Sequence, residues 1–146
     1  MRVGLDANLS PRLVDALNAL YGNKQLSFER VGSSPDSVWL PEFSADGGSA
    51  FIAQDKRILS RPHEVVALAN SGLHGFFLNY GKGGAKFPYI AAHVVFWWPA
   101  IKSAILANKY RVFRINRHMG DYSAMEVLEI DSSSSPLRVR AKKRSD

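Results

Sequence analysis

Three short apolar runs constrain this chain more than any other feature: Val3-Gly4-Leu5, Phe51-Ile52-Ala53 and Phe76-Phe77-Leu78. Each is too brief for a helix and offers no polar face to water, so each reads as a strand covered on both sides. The segments between them carry helical signals. Ser10-Pro11 reads as a cap followed by a first helical proline, and Leu13, Leu17 and Leu20 fall on one face before Gly22 stops the helix. "LSFERV" from Leu26 alternates as a further strand. Ser34-Pro35 repeats the cap-and-proline signal ahead of Trp39, Leu40 and Phe43; Pro41 predicts that this helix is short, kinked or partly 3-10, and Gly47-Gly48 end it. Ser60 is the expected cap of a third helix carrying Val65, Val66, Leu68 and Ala69, stopped at Gly72. The order β-α-β-α-β-α-β predicts an α/β fold, a mostly parallel central sheet flanked by helices.

Beyond Leu78 the pattern changes. Phe87 to Leu106 is strongly apolar and interrupted by Pro99, which predicts two helices or one kinked helix. Tyr110–Arg117 and Tyr122–Ile130 read as strands of an antiparallel C-terminal hairpin around Gly120-Asp121. A single domain over 1–131 is expected, followed by a disordered tail over 132–146. Net charge is +6, of which residues 135–146 carry +4, leaving +2 for the body. Such a tail reads as a solvated extension or an arm for nucleic acid or a partner. There is no cysteine, which rules out disulfides and thiolate metal ligands. No signal-peptide pattern opens the chain, and the longest apolar stretch, Tyr89 to Ile101, falls short of the roughly 20 residues a membrane helix needs. A cytoplasmic protein with no membrane partner is the expectation.

In an open parallel sheet, ligands bind beyond the carboxyl ends of the strands. Asp6 follows the first strand, with Asn8 two residues on; Asp36 lies in the first turn of the second helix; Asp55 follows the third strand. Taken singly, each has an ordinary explanation as a loop or helix-start acid. Gathered at one edge, three carboxylates repel one another unless a cation intervenes, and hard oxygen ligands suit Mg²⁺ or Mn²⁺. A metal so held can activate water for phosphodiester hydrolysis, and Lys56, Arg57 and Arg61 are placed in sequence to hold backbone phosphates.

These residues carry a resemblance. Asp6-Ala7-Asn8-Leu9-Ser10-Pro11 before an amphipathic helix resembles the D-x-N-L-x-P opening of short PIN-like domains. Asp36 ahead of Trp39-Leu40-Pro41 resembles their second acidic position, and "AQDKRI" their strand-end element; the likeness spans roughly residues 1 to 78. It implies a PIN-like fold and a Mg²⁺- or Mn²⁺-dependent endoribonuclease, often the toxin of a bacterial toxin–antitoxin pair blocked by a cognate antitoxin. By position, Asp6, Asp36 and Asp55 are the implied catalytic, metal-binding acids, with Asn8 an auxiliary ligand or orienter. RNA is the implied substrate, and a homodimer is compatible with the chain. Longer PIN domains place another acid, often Glu, on an intervening helix. Glu64 is a candidate for it, though a first-turn helix acid is the simpler reading, and Asp46 reads as a turn residue.

Two other functions fit parts of the pattern. A phospho-acceptor receiver would phosphorylate Asp55, but it wants adjacent acids after strand one, where this chain has Leu5-Asp6-Ala7, and a lysine ending a late strand. A non-catalytic nucleic-acid-binding module would rely on the basic tail. "NYGKGGAK" lacks the spacing of a nucleotide-binding phosphate loop and reads as a loop over the active edge. The four histidines lack metal-ligand spacing; His93 and Trp97-Trp98 read as core residues.

Overall fold

The computed structural model describes residues 1–54, 58–120, 125–130 and, as backbone, 139–142. Among these, seven strands form one sheet in the order β2-β1-β3-β4-β5-β6-β7. β1 (Arg2–Asp6), β2 (Ser27–Val31), β3 (Ala50–Gln54), β4 (His74–Asn79) and β5 (Val112–Asn116) run parallel. β6 (Glu126–Ile130) and β7 (Val139–Lys142) add antiparallel strands at the far edge. The strand order reverses at β1, whose neighbours β2 and β3 are reached from opposite sides. The crevice at the carboxyl ends of β1 and β3 is therefore the switch point where such sheets bind ligands.

Alternating side chains on the buried strands feed two cores. Val3, Leu5, Ala50, Ile52, Phe76 and Leu78 face one side, beneath α1 (Pro11–Tyr21) and α4 (Phe87–Ala107). Phe51, Ala53 and Phe77 face the other, beneath α2 (Asp36–Ala45) and α3 (Pro62–Ser71). The result is the predicted helix–sheet–helix sandwich. α4 is welded into the first core by Trp97, Trp98, Val94 and Ile101, all 2% exposed or less. Trp98 meets Phe28 edge-on at 4.7 Å, tying this helix to the outermost parallel strand.

α4 also grips the exit of β5. Its residues 89, 93 and 97, one turn apart, each reach a carbonyl there: Tyr89 Oη donates to Arg117 O, His93 Nε2 to Asn116 O (2.7 Å) and Trp97 Nε1 to His118 O (3.1 Å). Since a carbonyl only accepts, His93 carries its proton on Nε2, and its Nδ1 accepts from Tyr80 Oη at 2.9 Å. Burial lowers the His93 pKa and raises that of Tyr80, so both stay neutral at physiological pH.

Several local expectations are corrected. α2 starts at Asp36 with Pro35 as its cap residue, not Ser34, and no side chain caps it. It runs ten residues through Pro41, held by Trp39, Leu40 and Phe43 packing into the second core. Ser60 closes a 3-10 turn (Ile58–Ser60), and Arg61 takes the cap position of α3 because Pro62 occupies its first turn. α4 is one helix of 21 residues despite Pro99; it is long and apolar enough to cross a membrane, unlike the stretch read from sequence, but here it is a core helix. Four residues of the expected disordered tail instead pair with β6 as β7, where Val139 and Arg140 face Ile130 and Glu129 in register. Residues 131–138 and 143–146 lie outside the described residues.

Candidate active site

A cleft of about 530 Å³ opens at the switch point, bounded by the ends of β1 and β3, the start of α2 and the start of α3. Asp6, Asn8, Gly32, Asp36, Trp39, Gln54, Arg61 and Glu64 line it. Asp6 is the last residue of β1 and stands beside Val31 of β2. The turn that follows is closed by Leu9 N–H donating to Asp6 O at 2.8 Å and braced by Arg30 Nη2 on Ala7 O at 3.1 Å. Asn8 Nδ2 points back at Asp6 Oδ2 from 3.3 Å, a weak bond that orients the carboxylate.

Gly32 is what lets Asp6 stand there. Its φ is +84°, and a Cβ on it would come within 2.5 Å of Asp6 Oδ1. The carboxylate thus occupies space that any other residue at 32 would fill. Asp36 is fixed differently: Trp39 Nε1, one turn along α2, donates to Asp36 Oδ1 at 2.6 Å. Trp39 is itself buried edge-on against Phe51 at 5.3 Å.

Burial raises the Asp6 pKa, and the negative charge of Asp36 raises it further. The Ala7 and Asn8 amides and the Asn8 side chain offset this only in part. Two carboxylates from different elements are therefore close enough to feel each other's charge in a partly desolvated crevice. Glu64 supplies a third. It is 3% exposed; its Oε1 takes Arg61 Nη1 at 3.2 Å, while buried Oε2 has no hydrogen-bond partner among the described residues. A buried carboxylate oxygen left without a donor is costly and calls for a partner. Glu64 is indeed a first-turn acid of α3, as the simpler reading has it, and it is buried there as well.

Hard oxygens in mutual repulsion and an orphaned buried carboxylate oxygen fit a divalent cation such as Mg²⁺ or Mn²⁺. No trio of acids or histidines among the described residues already stands at ligand separation. Asp6, Asp36 and Glu64 would hold such an ion from separate walls of the cleft. Asp55, Lys56 and Arg57 lie outside the described residues; β3 ends one residue before Asp55, at Gln54, which lines the cleft. Asp46 is elsewhere. It pairs with Arg2 Nη2 at 2.9 Å, and Arg2 starts β1 at the opposite end of the sheet.

Three contributors escaped the sequence reading. Gly32 in "VGSS" carries no signal in the sequence, and Trp39 and Gln54 enter it only as parts of the apolar stripe, of Trp39-Leu40-Pro41 and of "AQDKRI", with no site role of their own. The i, i+3 spacing of Asp36 and Trp39 was the one available signal, since it stacks an indole over a helix-start carboxylate.

A parallel sheet with acids gathered at its switch point defines an acidic-site α/β protein. The profile of the PIN-like domain family matches residues 1–80, more than half of the chain. The chain belongs to the PIN-like domain family. No curated protein and no solved structure matches it. The receiver alternative loses its footing, because the late parallel strands β4 and β5 end in Asn79 and Asn116 where it requires a lysine.

Proposed function

We propose that this PIN-like chain is a metal-dependent endoribonuclease that hydrolyses RNA phosphodiester bonds. The observation that carries the reading is the convergence of Asp6, Asp36 and Glu64 on one cleft at the switch point, with Glu64 Oε2 buried and without a hydrogen-bond partner among the described residues. Mg²⁺ or Mn²⁺ bound there supplies Lewis-acid stabilisation of charge developing on phosphate oxygens and lowers the pKa of water. The protein's own part is to hold the acids apart and oriented. Gly32 leaves room for Asp6, Asn8 orients it, Trp39 fixes Asp36, and Arg61 on the cleft wall offers guanidinium N–H groups to a phosphate. In the family context, the role we assign is that of the toxin of a toxin–antitoxin pair, acting on cytoplasmic RNA and restrained by a cognate protein.

The test is cleavage of tRNA, rRNA and mRNA with and without Mn²⁺, beside Asp6→Asn and Glu64→Gln, with Mn²⁺ binding followed by calorimetry. Metal-dependent cleavage and metal binding that fall together in both variants are expected. Absence of metal-dependent cleavage on all three RNAs removes the reading. The toxin role is checked separately, by rescue of growth when a neighbouring short gene is co-expressed.

A further inference from the structure

Every charged side chain between Glu64 and Asp121 is a lysine or arginine. This acid-free stretch runs from α3 through β5, and the fold sends part of its charge to the carboxyl edge of the sheet, where the acidic cleft lies. Lys86 precedes α4, and Arg117 follows β5. Arg12, from the first turn of α1, joins them, its guanidinium 5.2 Å above the ring of Phe87, the first residue of α4. Arg117 Nη2 donates to Gly84 O at 3.1 Å, anchoring the loop that carries Lys82 and Lys86. All four cations are exposed, and none has a carboxylate within 4 Å among the described residues.

An aromatic ring stands among these cations. Tyr89 is 38% exposed. One face lies on His93, nearly parallel at 18° with centroids 5.9 Å apart, and the Tyr80 ring stands at 82° to it with centroids 6.1 Å apart. Its hydroxyl is fixed on Arg117 O. The ring is thus held in place while part of it stays open to solvent. A fixed, exposed aromatic ring among cations without carboxylate partners is the arrangement that binds single strands, with bases stacking and phosphates neutralised. Duplex recognition would instead need contacts spread across grooves.

We propose that Arg12, Lys86 and Arg117, with the exposed ring of Tyr89, form a track for single-stranded RNA leading away from the acidic cleft. The track crosses from the end of β1 to the end of β5. That is three inter-strand steps, on the order of 14 Å, enough to hold nucleotides flanking the scissile bond. It places most of the substrate-selecting surface, all but Arg12, beyond the matched residues 1–80. The assignment of RNA rests on the nuclease reading; the binding surface itself does not need an active cleft.

The experiment uses the full chain carrying Asp6→Asn to prevent cleavage and a 12-nucleotide fluorescein-labelled oligouridine. Anisotropy gives Kd across a salt series. Replacing Arg12, Lys86 and Arg117 together by Gln should weaken binding at least tenfold. It should also flatten the dependence of log Kd on log salt by about 2, from roughly 0.7 per lost phosphate contact. Tyr89→Ala should weaken binding roughly 5- to 100-fold, while Tyr89→Phe, which keeps the ring, should bind like the parent. Gln at Lys24, Lys102 and Lys109, exposed at the opposite edge, makes the same charge change and should leave Kd within about twofold, since only general attraction is lost. Equal losses in the two triple variants, or an unchanged Kd in the first, would overturn the track. So would tighter binding of duplex RNA or of an acidic peptide than of the single strand. If RNA is cut by the wild type but the track variants bind normally, the track fails and the nuclease stands. If the track binds but the wild type never cuts, the reverse holds.

Discussion

Replacing Gly32 by Ala tests the site without touching any acid. The added Cβ would sit 2.5 Å from Asp6 Oδ1. Ordinary contact begins near 3.4 Å, so the carboxylate must retreat by about 0.9 Å. The backbone contributes a second cost, because φ of +84° strains any L side chain by about 1–3 kcal/mol. These effects can be separated using Gly47, whose φ is +94° but whose Cβ would meet nothing nearer than Arg2 Nη1 at 3.7 Å. Gly47→Ala should therefore share the backbone penalty and leave Asp6 alone. Urea denaturation should show both variants destabilised by about 1–3 kcal/mol. Only Gly32→Ala should lose Mn²⁺ affinity and RNA cleavage, by about 100-fold for a displacement near 1 Å. Equal activity in the two variants, or equal losses tracking their stability, would refute the argument that Gly32 exists to admit the Asp6 carboxylate.

Burial and Asp36 hold the Asp6 pKa above the usual carboxylate range, so ionised Asp6 burdens the metal-free fold. That burden is absent below the ordinary carboxylate pKa and fully felt above the raised one. Metal-free Asp6→Asn should accordingly melt higher than the wild type at pH 7, with the gap closing towards pH 4. Saturating Mn²⁺ should raise the Tm of the wild type only. Trp39→Phe keeps the edge-on ring contact with Phe51 but removes the donor to Asp36 Oδ1. A loss of about 1.5–3 kcal/mol is expected for a bond to a charged group, with a roughly 10-fold or larger fall in metal affinity by calorimetry. Tyr80→Phe strips His93 Nδ1 of its donor and should cost about 1–3 kcal/mol in urea denaturation, with Mn²⁺ affinity unchanged.

The parallel strands were legible because burial on both faces leaves no room for polar residues in them, as "FIA" and "FFL" show. The sequence also placed Asp6 and Asp36, since strand ends and helix starts follow from the order of elements. What it hid was tertiary. Nothing local in "PHEVV" says that Glu64 turns inward, because that depends on α3 packing over β3 and α2. Nor does "VGSS" announce Gly32, whose neighbour Asp6 arrives from 26 residues away through the β1–β2 pairing. The proline signals at 34–35 and 60–62 located two helices correctly but misplaced their caps by a residue. Proline fixes its own φ while leaving open which preceding carbonyl starts the helix. Tail residues 139–142 looked too basic for a strand, yet β7 is an edge strand, where lysine and arginine are tolerated and discourage further pairing.

The packing of α4 has a consequence for how this chain can be divided. The family likeness stops at residue 80, seven residues before the helix that shares with α1 one side of β1, β3 and β4. Cut there, the first half would keep only α1 over the core that holds Leu5, Ile52, Phe76 and Leu78, leaving apolar surface open to water of the kind soluble monomers rarely expose. The inherited unit and the folding unit are thus of different lengths. Residues 1–80 carry Asp6, Asp36 and Glu64, but they depend on later, family-unmatched sequence for half of their interior. Any protein that borrows this acidic crevice must bring a substitute for α4 beside α1.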